Sequence, residues 1–110
     1  MAVSAGDVVL VPFPYRDRQG GRTRPGVIVS AQAYNQQGDL VIAAITSHPP
    51  RFATDFALLD WSAAGLRFPS TVRMLLGTIA DSRVVQQIGR LSDRDWAEVQ
   101  ARVRGVFAWP

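Results

Sequence analysis

The chain has 110 residues and no cysteine, with 12 basic side chains against 9 acidic ones and a formal net charge of +3. That length holds one domain, residues 1–110, with a core burying roughly 65% of the unfolded surface; the missing thiols exclude a disulfide framework, a thiolate zinc site and a cysteine nucleophile. All 12 basic residues are arginine, a bias that codon usage in a GC-rich genome explains as readily as a demand for permanently charged, planar phosphate-binding forks.

The opening MAVSAGDVVLVPF has no basic region before its apolar stretch, and Asp7 interrupts it, which is not the pattern of a secretory signal. Asp7 to Pro12 is a β-branched run closed by Pro12 and Pro14 and predicts a first strand. Residues 15 to 23, YRDRQGGRT, read as a polar loop bending at Gly20-Gly21. Pro25 to Ser30 predicts a second strand, residues 31 to 38 a loop ending in glycine, and Asp39 to Thr46 a third strand that His48-Pro49-Pro50 breaks. The apolar run Leu40 to Ile45 is far too short to span a bilayer, so a soluble, cytoplasmic protein is expected. Thr54 to Leu59 predicts a fourth strand, Trp61 to Ala64 a helical turn before Gly65, Thr71 to Leu76 a fifth strand and Val84 to Leu91 a sixth. Many short strands between turn residues argue for a mainly β small barrel or sandwich.

The C-terminal end changes period. Ser92 is a candidate N-cap with Asp95 three residues on. Asp93, Asp95 and Glu98 occupy the first turns and Arg102 and Arg104 the last, which suits a helix dipole. Trp96, Val99, Val103, Val106 and Phe107 recur at helical spacing and predict one apolar stripe packed on the strands.

If the second and third strands pair antiparallel with Ser30 opposite Leu40, then Ile28 faces Ile42 and Arg24 faces Thr46. Directly opposed side chains share a face with Cβ atoms about 4.5–5.5 Å apart. A fixed cation beside a hydroxyl at a sheet edge suits a phosphate. Arg16, Arg18 and Arg22 lie on the adjacent loop, and Tyr15, Phe13 and Phe68 offer stacking faces for unpaired bases, although Phe13 reads better as core and Phe68 fits either place equally.

Other schemes fail by inventory. A single histidine cannot form a two-histidine acid and base pair, and His48, beside two prolines, reads as a loop side chain at the rim of an RNA groove. No His, Asp and Glu spacing suggests a metal site, and neither a G-x-x-x-x-G-K nor a G-x-G-x-x-G stretch is present. No cofactor is expected. Positioning and charge remain. RNA carries its own nucleophile, the 2′-hydroxyl, and an enzyme can align it and stabilise charge on the phosphate oxygens. Arg24 suits the charge, and Thr46 or Ser47 the orientation of a phosphate oxygen or the 2′-hydroxyl. The proton acceptor is open, since arginine is a poor base.

The stretches GDVVLVPFPYRD, RPGVIVS, VIAAITS, GLRFPSTVR and IGRLS, in that order from Gly6 to Phe107, resemble the MazF/PemK-like toxins of bacterial toxin–antitoxin pairs. The resemblance implies an SH3-like barrel with a C-terminal helix, forming a homodimer. It implies a metal-independent endoribonuclease that cuts single-stranded RNA and leaves a 2′,3′-cyclic phosphate and a 5′-hydroxyl. The family's arginine before proline falls on Arg24, and its threonine at the end of the third strand on Thr46, with Ser47 beside it. An acidic antitoxin tail is the implied partner, blocking a groove rimmed by Arg16, Arg18 and Arg22. Leu75, Leu76 and Gly77 stand where relatives often carry a polar or basic residue, so RNA contacts from the fifth strand are not expected to follow the family pattern. Two other readings stay open on the same fold: a gyrase-targeting toxin of the CcdB kind, acting through the Phe107-Ala108-Trp109-Pro110 end, and an inactive relative that only binds RNA or a partner.

Overall fold

A computed structural model describes residues 2–12 and 23–109. Its strands are β1 (Asp7–Pro12), β2 (Thr23–Ile28), β3 (Asp39–Thr46), β4 (Phe56–Ala57), β5 (Thr71–Ala80) and β6 (Gln86–Arg90), with helices α1 (Gln32–Asn35) and α2 (Asp93–Val106). The strands form one curled antiparallel sheet, a half-barrel, in the order β4-β5-β3-β2-β1-β6. The mainly β architecture with a C-terminal helix is the one expected from the sequence. No helix is long and apolar enough to cross a membrane among the described residues.

Alternation along the strands explains why both faces are apolar. Val8, Val27, Ala43, Ile45 and Val72 point to one face, which Leu58, Ala64, Leu91 and the α2 residue Val99 cover. Val9, Val11, Ile28, Leu40 and Ile42 point to the other, with Val3, Leu75, Ile79 and Val84 packed around them. Each fully buried valine or isoleucine contributes about 1.5–3 kcal/mol. The α2 stripe is used only in part: Val99 is buried and Trp96 and Val103 are half-buried, but Val106 and Phe107 are exposed.

Several elements differ from expectation, each for a local reason. The loop at 31–38 contains α1, because Asn35 folds back: its side chain accepts from Ser30 Oγ and donates to the Ser30 carbonyl, while Val41 N–H donates to the same Ser30 hydroxyl. The expected fourth strand shrinks to Phe56–Ala57. On one side the Asp55 carboxylate takes the N–H groups of Arg51 and Phe52. On the other, the Asp95 carboxylate of α2 takes those of Leu59 and Asp60 at 3.1 and 2.8 Å. Backbone donors pulled to carboxylates cannot extend a ladder. β5 runs four residues past its expected end, to Ala80, and a short 3-10 turn at Asp81–Arg83 delays β6 to Gln86.

The start of α2 is a polar hub. Ser92 caps it, accepting from Asp95 N–H. The Ser92 hydroxyl also donates to Asp60 at 2.6 Å, and Arg94 grips the same carboxylate through Nε and Nη2, each at 2.8 Å. These bonds, that of Arg94 first, hold the Asp60 carboxyl well below the usual carboxylate range. The turn at 61–65 then crosses β6 with backbones in contact. A Cβ on Gly65 would sit 2.0 Å from the Ile88 carbonyl oxygen, and one on Gly89 2.0 Å from that of Ala64.

Candidate functional site

The β2–β3 register is the one the sequence suggested: Ile28 faces Ile42, Val27 faces Ala43 and Gly26 faces Ala44. Paired positions stop there, two residues short of Arg24 and Thr46, and proline is the cause. Along an antiparallel strand, every second N–H reaches the same neighbour. Val29 N–H donates to the Val41 carbonyl at 2.9 Å, so Val27 is next and Pro25 follows. Proline has no N–H to give. Beyond that point β2 stays paired with β1, Arg24 opposite Val11, and β3 stays paired with β5, Thr46 opposite Thr71.

Arg24 and Thr46 therefore lie level, at the same end of the sheet. Alternation puts Arg24 on the side of Ile28, and Thr46 on the side of Ile42, which are members of one cluster on one face. Arg24 is exposed, and among the described residues it has neither a carboxylate partner nor a hydrogen bond from its side chain. Thr46 is half-buried, and its Oγ1 accepts from His48 N–H at 3.2 Å, which turns the chain after β3 and leaves Ser47 and His48 exposed. Phe68 is 64% exposed, which removes it from the core, and it lies three residues before Thr71, at the same sheet end. Tyr15, Arg16, Arg18 and Arg22, with Phe13, lie outside the described residues.

Sequence reasoning missed a second group at this end. Arg73 follows Thr71 by two residues in β5 and so shares its side of the strand. It lies 3.6 Å from Asp55, and its guanidinium carbon is 5.3 Å from the centre of the Phe52 ring. Arg51 approaches the same ring at 5.4 Å. The available signal was the alternation of β5, which sets Arg73 beside a residue opposite Thr46; the contact with Phe52 depends on a turn that no local pattern announces. At the far end of the chain, Trp109 is 71% exposed, tilted against Phe107 with ring centres 6.2 Å apart, and donates from Nε1 to the Arg104 carbonyl. It is not packed on the sheet. Among the described residues, no three His, Asp or Glu side chains gather where they could share a metal ion.

The arrangement can hold an anion. A cation, Arg24, and a hydroxyl, Thr46, lie at one sheet end, and among the described residues Arg51 and Arg73 stand beside them around Phe52. A sequence profile of the family described as PemK-like, MazF-like toxin of type II toxin-antitoxin system matches residues 4–107. No curated protein matches the chain. Among solved structures, it is similar to an endoribonuclease in complex with its cognate antitoxin from a mycobacterial species (TM-score 0.78, 17% identity, covering 99% of this chain and 100% of that one). It is similar to MazF in the MazE–MazF complex of Deinococcus radiodurans (TM-score 0.75, 19% identity, 100% and 99% covered). It is also similar to the Mycobacterium tuberculosis toxin MazF-mt6 (TM-score 0.73, 18% identity, 94% and 99% covered). At these identities the likeness is one of fold.

Proposed function

The chain belongs to the PemK-like, MazF-like toxins of type II toxin–antitoxin systems, and from that membership we propose that it is an endoribonuclease that cuts single-stranded RNA without a metal ion. The 2′-hydroxyl oxygen attacks the adjacent phosphorus and the bond to the 5′-oxygen breaks, leaving a 2′,3′-cyclic phosphate and a 5′-hydroxyl. The attacking hydroxyl gives up a proton and the leaving oxygen takes one, so the cut itself consumes no water. Charge builds on the non-bridging phosphate oxygens, where a positioned guanidinium is worth far more than in bulk water. That is the role of Arg24. Thr46 and Ser47 orient a phosphate oxygen or the 2′-hydroxyl. Tyr15, Arg16, Arg18, Arg22, His48 and Phe68 contact the flanking RNA.

The observation that supports this reading best is the level placement of Arg24 and Thr46 on one face, with Arg24 left without a carboxylate partner among the described residues. Some solved structures of similar fold hold a cognate antitoxin. For this chain the corresponding partner is an acidic antitoxin segment laid over the arginines of the sheet end, and the active form is a homodimer. Incubating purified protein with a defined single-stranded RNA in EDTA, then mapping cut sites and end groups, tests the reading. Cyclic-phosphate ends that disappear with Arg24→Ala are expected; intact RNA, or an Arg24→Ala protein cutting at the wild-type rate, overturns it.

The exposed Trp109 favours one second reading, a toxin that acts by gripping a protein through its C-terminal end. Deleting Trp109 and Pro110 separates the two: toxicity lost while RNA cutting persists assigns the toxic function to that end.

A further inference from the structure

An exposed phenylalanine on its own carries little meaning. Phe52 is 56% exposed, but it is built into its place. The Asp55 carboxylate, itself buried, accepts the backbone N–H groups of Arg51 at 2.8 Å and Phe52 at 3.1 Å, which fixes the turn that presents the ring. Two guanidinium groups from different elements converge on that ring, Arg51 from the same turn and Arg73 from β5. Asp55 already holds two amides and meets Arg73 only at 3.6 Å. Among the described residues neither guanidinium donates a hydrogen bond. The local surface is thus an exposed apolar ring met by two cations, Arg51 exposed and Arg73 28% exposed beside Asp55.

A similar pairing elsewhere in the molecule shows what the structural version looks like. Arg102 sits 4.7 Å over Phe56, but Phe56 is half-buried, and Arg102 donates to the Glu98 carboxylate and to the Asp55 carbonyl. There the cation is tied down and the ring is covered. Around Phe52 the ring is open, Arg51 has no carboxylate partner among the described residues, and Arg73 meets only Asp55, at 3.6 Å.

Position narrows the ligand. Arg73 shares its side of β5 with Thr71, and Thr71 is opposite Thr46. The Phe52 cluster therefore lies on the sheet face and at the sheet end that carry Arg24 and Thr46. Single-stranded nucleic acid is held by aromatic faces for its bases and cations for its backbone. We infer that Phe52, Arg51 and Arg73 form a flanking-nucleotide subsite, in which the ring takes a base and the two guanidiniums take the phosphates beside it. This subsite rests on the ribonuclease reading and extends the bound RNA from the cleavage point across β3 to β5.

The test uses the full chain and a fluorescein-labelled, mixed-sequence single-stranded RNA in uncleavable 2′-O-methyl form, with the unmodified RNA run in parallel for cutting in EDTA. Phe52→Ala is expected to weaken binding about tenfold or more, and Phe52→Trp to restore it, without a shift in melting temperature. The double variant Arg51→Gln, Arg73→Gln is expected to lower the slope of log affinity against log salt by about 1.4, the amount due to two lost phosphate contacts on a single strand. Wild-type protein that binds and cuts RNA while Phe52→Ala and the double variant bind equally well would overturn the subsite alone. No RNA binding by any of the proteins would overturn the subsite and the ribonuclease reading together. Variants that keep RNA affinity but lose affinity for a poly-glutamate probe would also overturn it, giving the surface to an acidic protein segment. If the double variant does not fold, Phe52→Ala, at an exposed position, still decides the matter.

Discussion

The arginines of this protein have two different neighbourhoods. Where α2 joins the sheet they are matched to carboxylates: Arg94 grips Asp60 through two nitrogens, Arg90 meets Asp7 at 2.8 Å, and Arg102 meets Glu98 at 2.6 Å. At the Thr46 end of the sheet, Arg24 and Arg51 have no carboxylate partner among the described residues, and Arg73 has only a distant one. The same side chain is mortar in one place and left open in the other, and the difference lies in which arginines the fold supplies with acids. Charge counted along the chain cannot separate the two groups, because Asp60 and Asp7 are far in sequence from the arginines they hold; only Glu98, four residues from Arg102, is a local partner.

Substitutions that act on one neighbourhood and spare the other test this division. The largest loss of stability is expected at Asp95. Asp95→Ala leaves the part-buried N–H groups of Leu59 and Asp60 without their charged acceptor, at about 3 kcal/mol in total, and urea unfolding reads it. RNA cutting per folded molecule should not change. Next comes Gly89→Ala, whose new methyl would meet the Ala64 carbonyl oxygen; about 2–3 kcal/mol of overpacking is expected in the same measurement. A smaller and pH-dependent effect belongs to Asp60. Its folded carboxyl is depressed, so the unfolded chain binds its proton first, near pH 4. The stabilisation is fully present above that pH and is lost as pH falls toward the folded value. Asp60→Asn should flatten the acid limb of a stability-against-pH curve below about pH 4, and an unchanged limb would remove Asp60 from the hub. Smallest in stability is Arg24→Ala, within about 0.5 kcal/mol of wild type as for an exposed unpartnered side chain, although RNA cutting should fall about 100-fold or more. A strongly destabilised Arg24→Ala would break the comparison, since that arginine would then be structural.

Local signals carried much of the fold. β1 and β3 have their expected bounds because each is a β-branched run closed by a turn or a proline, and α2 starts at its Ser92 cap. What could not be read was decided at a distance. β4 is short because Asp95, 36 positions from Leu59, takes its N–H. The shared face and level of Arg24 and Thr46 were legible because register and alternation are properties of the two strands themselves, but the expected direct pairing is not formed, since Pro25 ends the β2–β3 ladder at Gly26 and Ala44. The Phe52 cluster was not legible, because it joins a turn to a different strand through Asp55, and a lone Arg-Phe pair in a loop has no periodicity.

Pro25 has a mechanical consequence. From that residue back toward Thr23 the sheet divides like a forked branch, one tine rooted in β1 and the other in β5. The two tines share no hydrogen-bonded seam at that point, and each is held only by the neighbour on its outer side. Pro25→Val would offer the absent amide to the Ile45 carbonyl and carry the β2–β3 seam one bond further toward Arg24 and Thr46.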